Sequence, residues 1–422
     1  MTRPVSSAVQ CLFGFYDKKP YRPEKEQDSP PLTKRSDASP DRSFSTTEPV
    51  LLFRAERAAY EDIMNKDTFE ARREKLRRLM HEEELDAIIV SQPANRFYLS
   101  GFELHDCQCN ESSGCLIVMK DGKDWLCTDS RYEEAAAKLW DRERIFIYRG
   151  ASSEAINELL KKLCGCTGVV GMEAEHLSWN YVQRLEPGLT LKSADGLVEK
   201  LREVKDEEEI RLIAESVSLN HKMLEWLPSV LVPGQDEAGA AWAIEKYYRE
   251  HGASELSFPS IVAMNANAAL PHYAPDSPAV FTENCMVLVD EGCRLNRYCS
   301  DQTRTYWIGD NPSPRFTEML ERVQEAQRRA IAALRPGVTG REVHQIAVDY
   351  FASCGMDRFF THSLGHGVGL ETHEGPRLSP TSIKPLQPGM IVTIEPGLYF
   401  PGWGGARWEY MAVITEDGCR VF

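Results

Sequence analysis

The chain has 422 residues, with 49 Lys and Arg against 64 Asp and Glu, which gives a formal net charge of −15. This length predicts two or three domains with a sizeable core, and the acidic balance argues against nucleic acids and anionic membranes as partners. No stretch approaches the roughly 18 uninterrupted apolar residues of a membrane span, and no secretion signal is recognised, so we expect a soluble, cytoplasmic protein.

Residues 1–55 are predicted to be a disordered tail. The stretch from Asp17 to Pro49 is rich in proline and polar residues and contains no Ile or Val. Such a composition cannot bury enough apolar surface to offset the entropy cost of ordering the chain.

Residues 56–202 are predicted to form an α/β domain. Asp67 and Glu70 have the spacing of a capping box at the start of a helix. The apolar run Asp86–Val90 is typical of a buried strand, and Tyr98–Phe102 is predicted to be a second strand. Helices and strands are expected to alternate to the end of this domain.

Residues 203–422 are predicted to form a second domain, of the α+β class, which begins with a capping box at Asp206 and Glu209. An internal repeat runs through it at a constant offset. The matched segments are Leu231–Gly234 with Leu334–Gly337, Tyr247–Tyr248 with Tyr350–Phe351, and Gly252 with Gly355. Each copy holds a Pro-Gly break, an amphipathic helix, a glycine and a β-rich segment, which predicts two halves related by a pseudo-twofold axis.

The β-rich part of the first half contains two aspartates. The apolar run Met286–Asp290 is predicted to be a strand that ends in an acid. The segment Tyr298–Thr305, which includes Asp301, is predicted to return beside it after a turn at Arg294–Arg297. The two aspartates are therefore expected to face each other across a hairpin.

The second half contains two glutamates in similar positions. Glu395 ends the predicted strand Ile391–Glu395, and Glu409 lies near the start of the predicted strand Arg407–Ile414. One acid in an apolar strand is most simply a charged strand edge. Because a buried carboxylate is costly unless it is paired or binds a cation, four acids in two pairs indicate a cation site.

Three of the ten histidines fall within twelve positions, after the two aspartates and before the two glutamates. They are His362, His366 and His373. His362 and His366 have the spacing of a helical zinc-protease motif, but Ser363 replaces the glutamate and the surrounding glycines disfavour a helix. A phosphate-binding loop is the other reading of this glycine-rich run, and it is weak because no helix follows to present its N-terminus to an anion.

Two Asp, two Glu and one His together could supply the ligands of a centre with two divalent ions. A carboxylate-rich site without thiolates favours manganese, with cobalt, iron or zinc as alternatives. Two such ions lower the pKa of a shared water and polarise a carbonyl group, so the predicted reaction is hydrolysis.

These motifs resemble those of the pita-bread metallopeptidase family, which includes aminopeptidase P, prolidase, methionine aminopeptidase and the metal-free creatinase. The matching segments, in family order, are Asp290 with Ser300–Thr305, Gly365–Leu370, Ile394–Gly397, and Arg407 with Glu409. The resemblance implies a pita-bread (creatinase/aminopeptidase) fold for residues 203–422. In Tyr98–Phe102 and Thr128–Tyr132 the first domain resembles the creatinase-type N-terminal domain, which methionine aminopeptidases lack.

The resemblance also implies a role for each site residue. The implied metal ligands are Asp290, Asp301, His366, Glu395 and Glu409, with Asp301 and Glu409 shared by both ions. The implied catalytic residues are Glu395 as general base, His272, His362 and His373 as groups that bind substrate or stabilise the tetrahedral intermediate, and Arg407 as a residue that orients a ligand. Taken singly, the three histidines and Arg407 also fit ordinary hydrogen-bonded positions. Trp408 and Tyr410 depart from the family, where Ile and Asp are commoner.

The implied function is a dinuclear metal-dependent exopeptidase that hydrolyses Xaa-Pro bonds at peptide N-termini, as aminopeptidase P does. Its substrate would be a peptide with proline at the second position, and a homodimer is expected. Three alternatives stay open: an Xaa-Pro dipeptidase (prolidase), a family member that acts on a non-peptide substrate, such as the metal-dependent lyase of dimethylsulfoniopropionate, and a non-catalytic peptide-binding module of the same fold.

Overall fold

A computed structural model of the chain describes residues 66–103, 114–185, 188–275 and 279–422. The predicted disordered tail, residues 1–55, lies outside these ranges. No helix within them is long and apolar enough to cross a membrane.

The first part of the described chain is a six-stranded mixed sheet with the strand order β4-β3-β2-β1-β5-β6. Its strands are β1 (Ala87–Val90), β2 (Gly114–Met119), β3 (Trp125–Asp129), β4 (Ile145–Tyr148), β5 (Val169–Met172) and β6 (Thr190–Ser193). Its helices are α1 (Lys66–Glu82), α2 (Pro93–Ser100), α3 (Glu133–Leu139), α4 (Ser152–Cys164), α5 (Trp179–Leu185) and α6 (Leu197–Arg202).

Both faces of this sheet are covered. Ile88 and Val90 of β1 belong to one apolar cluster, whereas Ala87 and Ile89 belong to another. Successive side chains of a strand point to opposite faces, so a run without polar residues requires packing on both sides. The predicted buried strand at Asp86–Val90 is therefore confirmed.

The prediction of a strand at Tyr98–Phe102 was wrong, because most of this segment lies in α2. The Gln92 side chain accepts a hydrogen bond from the Asn95 amide, and Pro93 occupies the first helical turn. Gly101 ends the helix with φ 70°, in the left-handed conformation that glycine adopts readily. The aromatic and aliphatic side chains of this segment suit a buried helix as well as a strand.

The capping box predicted at Asp67 and Glu70 is also wrong. Helix α1 already includes Lys66, so Asp67 lies within its first turn. Glu70 instead forms ion pairs with Arg73 and Arg77, which lie on the same face of the helix.

The second part of the chain contains two matching helix pairs. The first pair is α7 (Glu207–Trp226) and α8 (Glu237–Glu250), and the second is α9 (Pro314–Ala333) and α10 (Gly340–Ser353). The longer helices both have 20 residues, and the shorter helices both have 14. The internal repeat and the capping box of Asp206 and Glu209 are thus confirmed.

The strands of the second part form antiparallel sheets beside these helices. They are β7 (Glu255–Leu256), β8 (Ile261–Met264), β9 (Cys285–Glu291), β10 (Cys293–Leu295), β11 (Tyr298–Cys299), β12 (Gln302–Ile308), β13 (Gly365–Gly367), β14 (Glu374–Leu378), β15 (Ile391–Ile394), β16 (Gly397–Phe400), β17 (Gly404–Arg407), β18 (Tyr410–Ile414) and β19 (Cys419–Val421). The central strands, β9 and β15, have only buried residues.

Two predicted strands are interrupted. The returning strand of the first hairpin is split into β11, which pairs with β10, and β12, which pairs with β9. Gly292, between β9 and β10, lies against this junction, and a Cβ atom there would be only 1.9 Å from the Ser300 carbonyl oxygen. The predicted strand Arg407–Ile414 is split into β17 and β18 by Trp408 and Glu409.

Candidate metal centre

The first two candidate ligands come from the β9 and β12 hairpin. Asp290 lies on β9 directly opposite Thr303 of β12. Asp301 directly precedes β12, and Asp290 is near enough that its charge raises the pKa of Asp301. Both aspartates are buried, with exposures of 9% and 4%.

The other two acids lie at the ends of strands in the second half. Glu395 comes directly after β15, and Glu409 lies between β17 and β18. Gln327 of α9 links these two places, because its side-chain amide donates to the carbonyl oxygens of Ile394 and Trp408, each at 2.8 Å.

His366 is the central residue of β13, and its ring orientation is set by the adjacent backbone. Its Nδ1 lies 3.0 Å from the Gly367 carbonyl oxygen. A carbonyl oxygen only accepts hydrogen bonds, so Nδ1 carries a proton and Nε2 faces the acids. Nε2 is 3.3 Å from Glu395 Oε1 and 3.6 Å from Asp301 Oδ2.

These side chains converge on one point. Ligand atoms of Asp301, His366 and Glu409 all lie within 4.8 Å of one another. Glu395 joins the group through His366, and Asp290 joins it through Thr303. The structure therefore brings three predicted ligands close together, and contacts through His366 and Thr303 link the other two to them, with both halves of the repeat contributing.

The cluster has too few hydrogen-bond donors for its carboxylates. The Thr303 hydroxyl lies 2.9 Å from both Asp290 Oδ1 and Glu409 Oε2, but a hydroxyl has only one proton to donate. The other oxygen, Glu409 Oε1, is buried and has no hydrogen-bond partner among the described residues. Oxygen atoms in this position are available to a cation.

The pKa values within the cluster show the same shortage of positive charge. Burial, reinforced by the neighbouring carboxylates, raises the pKa values of Asp301 and Glu409 well above their usual range. Burial also acts on Glu395, but its hydrogen bond with His366 lowers the pKa of Glu395 to about 2. Four carboxylates and one imidazole thus compete for few protons, which is the environment that divalent ions stabilise.

The residues therefore fit a centre for divalent ions. The donors are four carboxylates and an imidazole nitrogen, and such a set suits manganese and neighbouring first-row metals. The carbonyl that holds His366 Nδ1 is the kind of outer partner that fixes a metal-binding histidine.

Arg407 supports the cluster from its Asp290 side. Its guanidinium donates to Asp290 Oδ2 at 2.7 Å, to the Thr303 hydroxyl at 2.9 Å and to the Tyr399 hydroxyl at 2.7 Å. Only 3% of Arg407 is exposed. The guanidinium is therefore placed to orient Asp290 and Thr303 together.

His362 lies one contact farther out. Its Nδ1 is 2.7 Å from the Ser363 carbonyl oxygen, so this nitrogen carries the proton of the neutral ring. Its Nε2 then accepts from the Tyr399 hydroxyl, 2.9 Å away. Burial lowers the pKa of His362, which favours this neutral form. Both ring nitrogens already have partners within the chain.

The two remaining histidines are exposed, at the solvent side of the cluster. The ring of His373 lies 4.2 Å from that of His366, centroid to centroid. Partial burial and the charge of His366 lower the pKa of His373 to about 4. His272 is near enough that its charge would lower the pKa values of both His362 and His373. Both rings are thus accessible to solvent, and that of His373 contacts the ring of His366.

Sequence reasoning missed four residues that support the cluster: Thr303, Gln327, Thr393 and Tyr399. Thr393 donates to Glu395 Oε1 at 3.2 Å and accepts from the His366 amide at 3.0 Å. Of the four, only Gln327 has a recognisable pattern, because it is a polar residue on the apolar face of α9.

Comparison with known proteins gives consistent matches. Residues 211–416 match the model of metallopeptidase family M24, and residues 72–204 match the creatinase/prolidase N-terminal domain. An Xaa-Pro dipeptidase of Pyrococcus furiosus is 32% identical, over 83% of this chain and 96% of the relative.

Solved structures agree with the family matches. An Xaa-Pro dipeptidase from Bacillus anthracis has a TM-score of 0.77 at 32% identity, covering 84% of this chain and 97% of that chain. An X-Pro aminopeptidase from Thermotoga maritima has a TM-score of 0.71 at 30% identity, covering 80% of this chain and 95% of that chain.

Proposed function

Since the chain belongs to metallopeptidase family M24 and is a hydrolase of the pita-bread fold, we propose that it cleaves the Xaa-Pro bond at the N-terminus of peptides. More specifically, we propose that it acts as an aminopeptidase on peptides longer than a dipeptide. Its substrate would carry proline at the second position.

One observation carries the proposal: Asp301, His366 and Glu409, from both halves of the repeat, lie close together, are joined by Glu395 and Asp290, and leave a buried carboxylate oxygen without a partner among the described residues. A scaffold without a cation would have to keep several carboxylates in contact at a large cost in free energy. We propose that Asp290, Asp301, His366, Glu395 and Glu409 hold two divalent ions, with manganese as the first choice.

Ions bound there would act as Lewis acids on the scissile carbonyl and make water a stronger nucleophile at neutral pH. The chain supplies the proton transfers. Glu395 is the proposed general base, in keeping with the family resemblance, because its carboxylate lies in the cluster, 3.3 Å from His366 Nε2. His272 and His373 are proposed to donate hydrogen bonds to the substrate and to the developing oxyanion.

His362 and Arg407 have less direct roles in this proposal. Arg407 orients Asp290 and Thr303, and Tyr399 links Arg407 to His362. For His362 to bind substrate, its Nε2 would first have to exchange the hydroxyl of Tyr399 for a substrate group.

A second candidate function is the hydrolysis of Xaa-Pro dipeptides. It is favoured by the named activity of two of the relatives, which are Xaa-Pro dipeptidases. The two functions differ in whether the site accepts a chain that continues after the proline.

The test is a matched set of substrates assayed with manganese: Ala-Pro, Ala-Pro-Ala and Ala-Ala-Ala. We expect turnover of Ala-Pro-Ala and much slower turnover of Ala-Ala-Ala. Turnover of Ala-Pro alone would assign the dipeptidase function instead. If manganese is bound and neither proline peptide is cleaved, the Xaa-Pro proposal is wrong.

Metal content separates the remaining alternatives. Two ions per chain, measured by mass spectrometry of the purified protein, would argue against a non-catalytic binding module. A non-peptide-acting lyase would contain metal but leave all three peptides intact. Metals other than manganese are compared by reloading stripped protein with manganese, cobalt, iron or zinc.

We also propose that the protein is a cytoplasmic homodimer. The support for the dimer is the resemblance to aminopeptidase P and prolidase, and the measurement is the molar mass by light scattering. A monomeric mass at working concentrations would contradict it.

A further inference from the structure

Arg304 lies beside the candidate ligand Glu409, on strand β12. Its guanidinium carbon is 4.8 Å from the ring centre of Trp408 and 4.3 Å from that of Tyr410. These aromatic residues directly precede and follow Glu409. One cation therefore contacts both neighbours of a candidate metal ligand, and such contacts with ring faces are attractive.

Hydrogen bonds hold the same guanidinium in place. Its Nη1 donates to the carbonyl oxygens of Thr303, at 2.9 Å, and of Glu409. Its Nη2 donates to Gln302 Oε1 at 2.9 Å, and the Gln302 amide is 2.8 Å from His221 Nε2. Arg304 is only 8% exposed, so this arrangement is shielded from solvent.

Glu409 needs such support because it lies outside both adjacent strands. Strand β17 ends before it and β18 begins after it, so no strand pairing fixes its backbone. Its amide instead donates to the Thr303 carbonyl at 3.1 Å, and its carbonyl accepts from Arg304. The amide and the carbonyl of Glu409 are thus held by Thr303 and Arg304, two consecutive residues of β12.

We propose that Arg304, held between the rings of Trp408 and Tyr410, is a positioning residue for Glu409. It fixes the Glu409 backbone so that the carboxylate, with its unpartnered Oε1, points into the cation site. This inference rests on the proposed metal centre but not on the proposed peptide substrate. The residues that depart from the family pattern, Trp408 and Tyr410, are those that complete the arrangement.

The test measures manganese binding by calorimetry after the full-length protein has been stripped with a chelator. We expect Arg304→Met to weaken binding by about 10- to 100-fold, the range found when outer partners of metal ligands are removed. Tyr410→Leu is expected to weaken it less, and Tyr410→Phe, which keeps the ring, should bind as the wild type does. This pair of variants retains Arg304 in case Arg304→Met does not fold.

Arg315 supplies a matched control. Its guanidinium carbon also lies between two rings, 3.8 Å from the centre of Trp403 and 5.3 Å from that of Phe400. Arg315→Met removes a similar packing contact from a different place in the fold. We expect its manganese affinity to equal that of the wild type, even if its unfolding midpoint falls.

The outcomes separate this inference from the metal centre itself. Wild-type protein that binds no manganese would show that the centre is wrong, and the role of Arg304 would fall with it. Wild-type binding that is unchanged in Arg304→Met and in Tyr410→Leu, with only a lower unfolding midpoint, would overturn the positioning role alone. Weaker binding in Tyr410→Leu but not in Tyr410→Phe would support it.

Discussion

The two glutamates of the cluster have different surroundings, and this difference predicts different effects of the same substitution. Glu395 Oε1 has two partners, Thr393 at 3.2 Å and His366 at 3.3 Å, whereas Glu409 Oε1 has none among the described residues. An oxygen without a partner is the one most free to coordinate an ion. Glu409 is therefore the more important of the two for metal affinity.

We predict that Glu395→Gln keeps most of its manganese but loses about 10²- to 10⁴-fold in kcat. The amide retains one oxygen ligand, but it cannot accept the proton that a general base must take. Metal content and turnover of Ala-Pro-Ala measure the two effects separately. Glu409→Gln is the control, and it should lose metal as well as turnover. Equal metal loss in both variants would refute the assigned difference.

Tyr399 gives a second prediction at this scale. Its hydroxyl accepts from Arg407 and donates to His362 Nε2, so Tyr399→Phe breaks both contacts without changing the ring. We expect kcat/KM to fall by about 10- to 100-fold, the net contribution of one to two hydrogen bonds, with manganese affinity unchanged. A large drop in affinity would instead make Tyr399 part of the support of Asp290.

Residues that carry the predicted chemistry were easier to find from sequence than the residues that support them. Asp290, Asp301, Glu395 and Glu409 stand out because acids are rare inside apolar strands. Thr303, Thr393 and Tyr399 have no such signature, since threonine and tyrosine are common in strands for packing reasons alone. Their hydrogen bonds depend on which strands meet in three dimensions.

At the scale of elements, regular patterns were predicted well and local interruptions were not. The matched helices α8 and α10 follow from paired Pro-Gly breaks and glycines, and Gly234 and Gly337 indeed have φ values of 94° and 87°. Helix α2 was missed because a short apolar segment fits helix and strand equally well. The break at Trp408 and Glu409 was missed because it depends on pairing with a distant hairpin.

A buried ion-pair cluster connects the segment that carries His373 with α6. The Glu374 carboxylate accepts from Lys205 Nζ at 2.7 Å and from Arg202, and only 5% of its side chain is exposed. Arg202 also donates to Asn95 Oδ1 at 2.7 Å, next to the first sheet. The position of His373 beside His366 in the candidate metal centre thus depends on contacts with the first part of the chain.

We predict that Glu374→Gln lowers the free energy of unfolding by on the order of 3–5 kcal/mol and raises KM more than it lowers kcat. The substitution leaves Lys205 buried without its carboxylate, and removing one member of a buried pair has this cost. Urea unfolding and steady-state kinetics measure the two effects. Unchanged KM would show that the cluster stabilises the fold without positioning His373.

The exposed pair of Lys246 and Glu250 supplies the control, because Glu250→Gln should leave stability unchanged within error.

The effect of Glu374 on stability should also depend on pH. Burial raises its pKa, but Lys205 and Arg202 outweigh burial and lower it below 4.5. A lowered folded pKa gives stability that is complete above the unfolded value and is lost as pH falls through the folded value. The difference between wild type and Glu374→Gln should therefore shrink below about pH 4.5.

At the scale of the whole molecule, the two halves of the repeat bring together acids whose charges repel one another when no cation is bound. Asp301 comes from the first half and Glu409 from the second, and burial and mutual repulsion raise the pKa values of both. In metal-free protein, a carboxyl group with a raised folded pKa stabilises the fold below its unfolded pKa. That contribution is lost as pH rises through the folded pKa.

We therefore predict that metal-free protein loses stability as pH rises above about 4, the ordinary pKa of unfolded carboxyl groups, while the stabilisation given by manganese grows as pH rises. Ions bind the deprotonated ligands, and binding only to the folded state adds about 2.7 kcal/mol for each site at 100 times its Kd. Urea unfolding of chelator-treated protein, with and without excess manganese, measures both trends. The double variant Asp301→Asn, Glu409→Gln should show weaker forms of both trends, because its amides do not titrate, whereas other buried acids such as Glu291 keep their raised pKa values. If the double variant instead keeps both the full pH dependence of the wild type and the full stabilisation by manganese, Asp301 and Glu409 do not form the cation site.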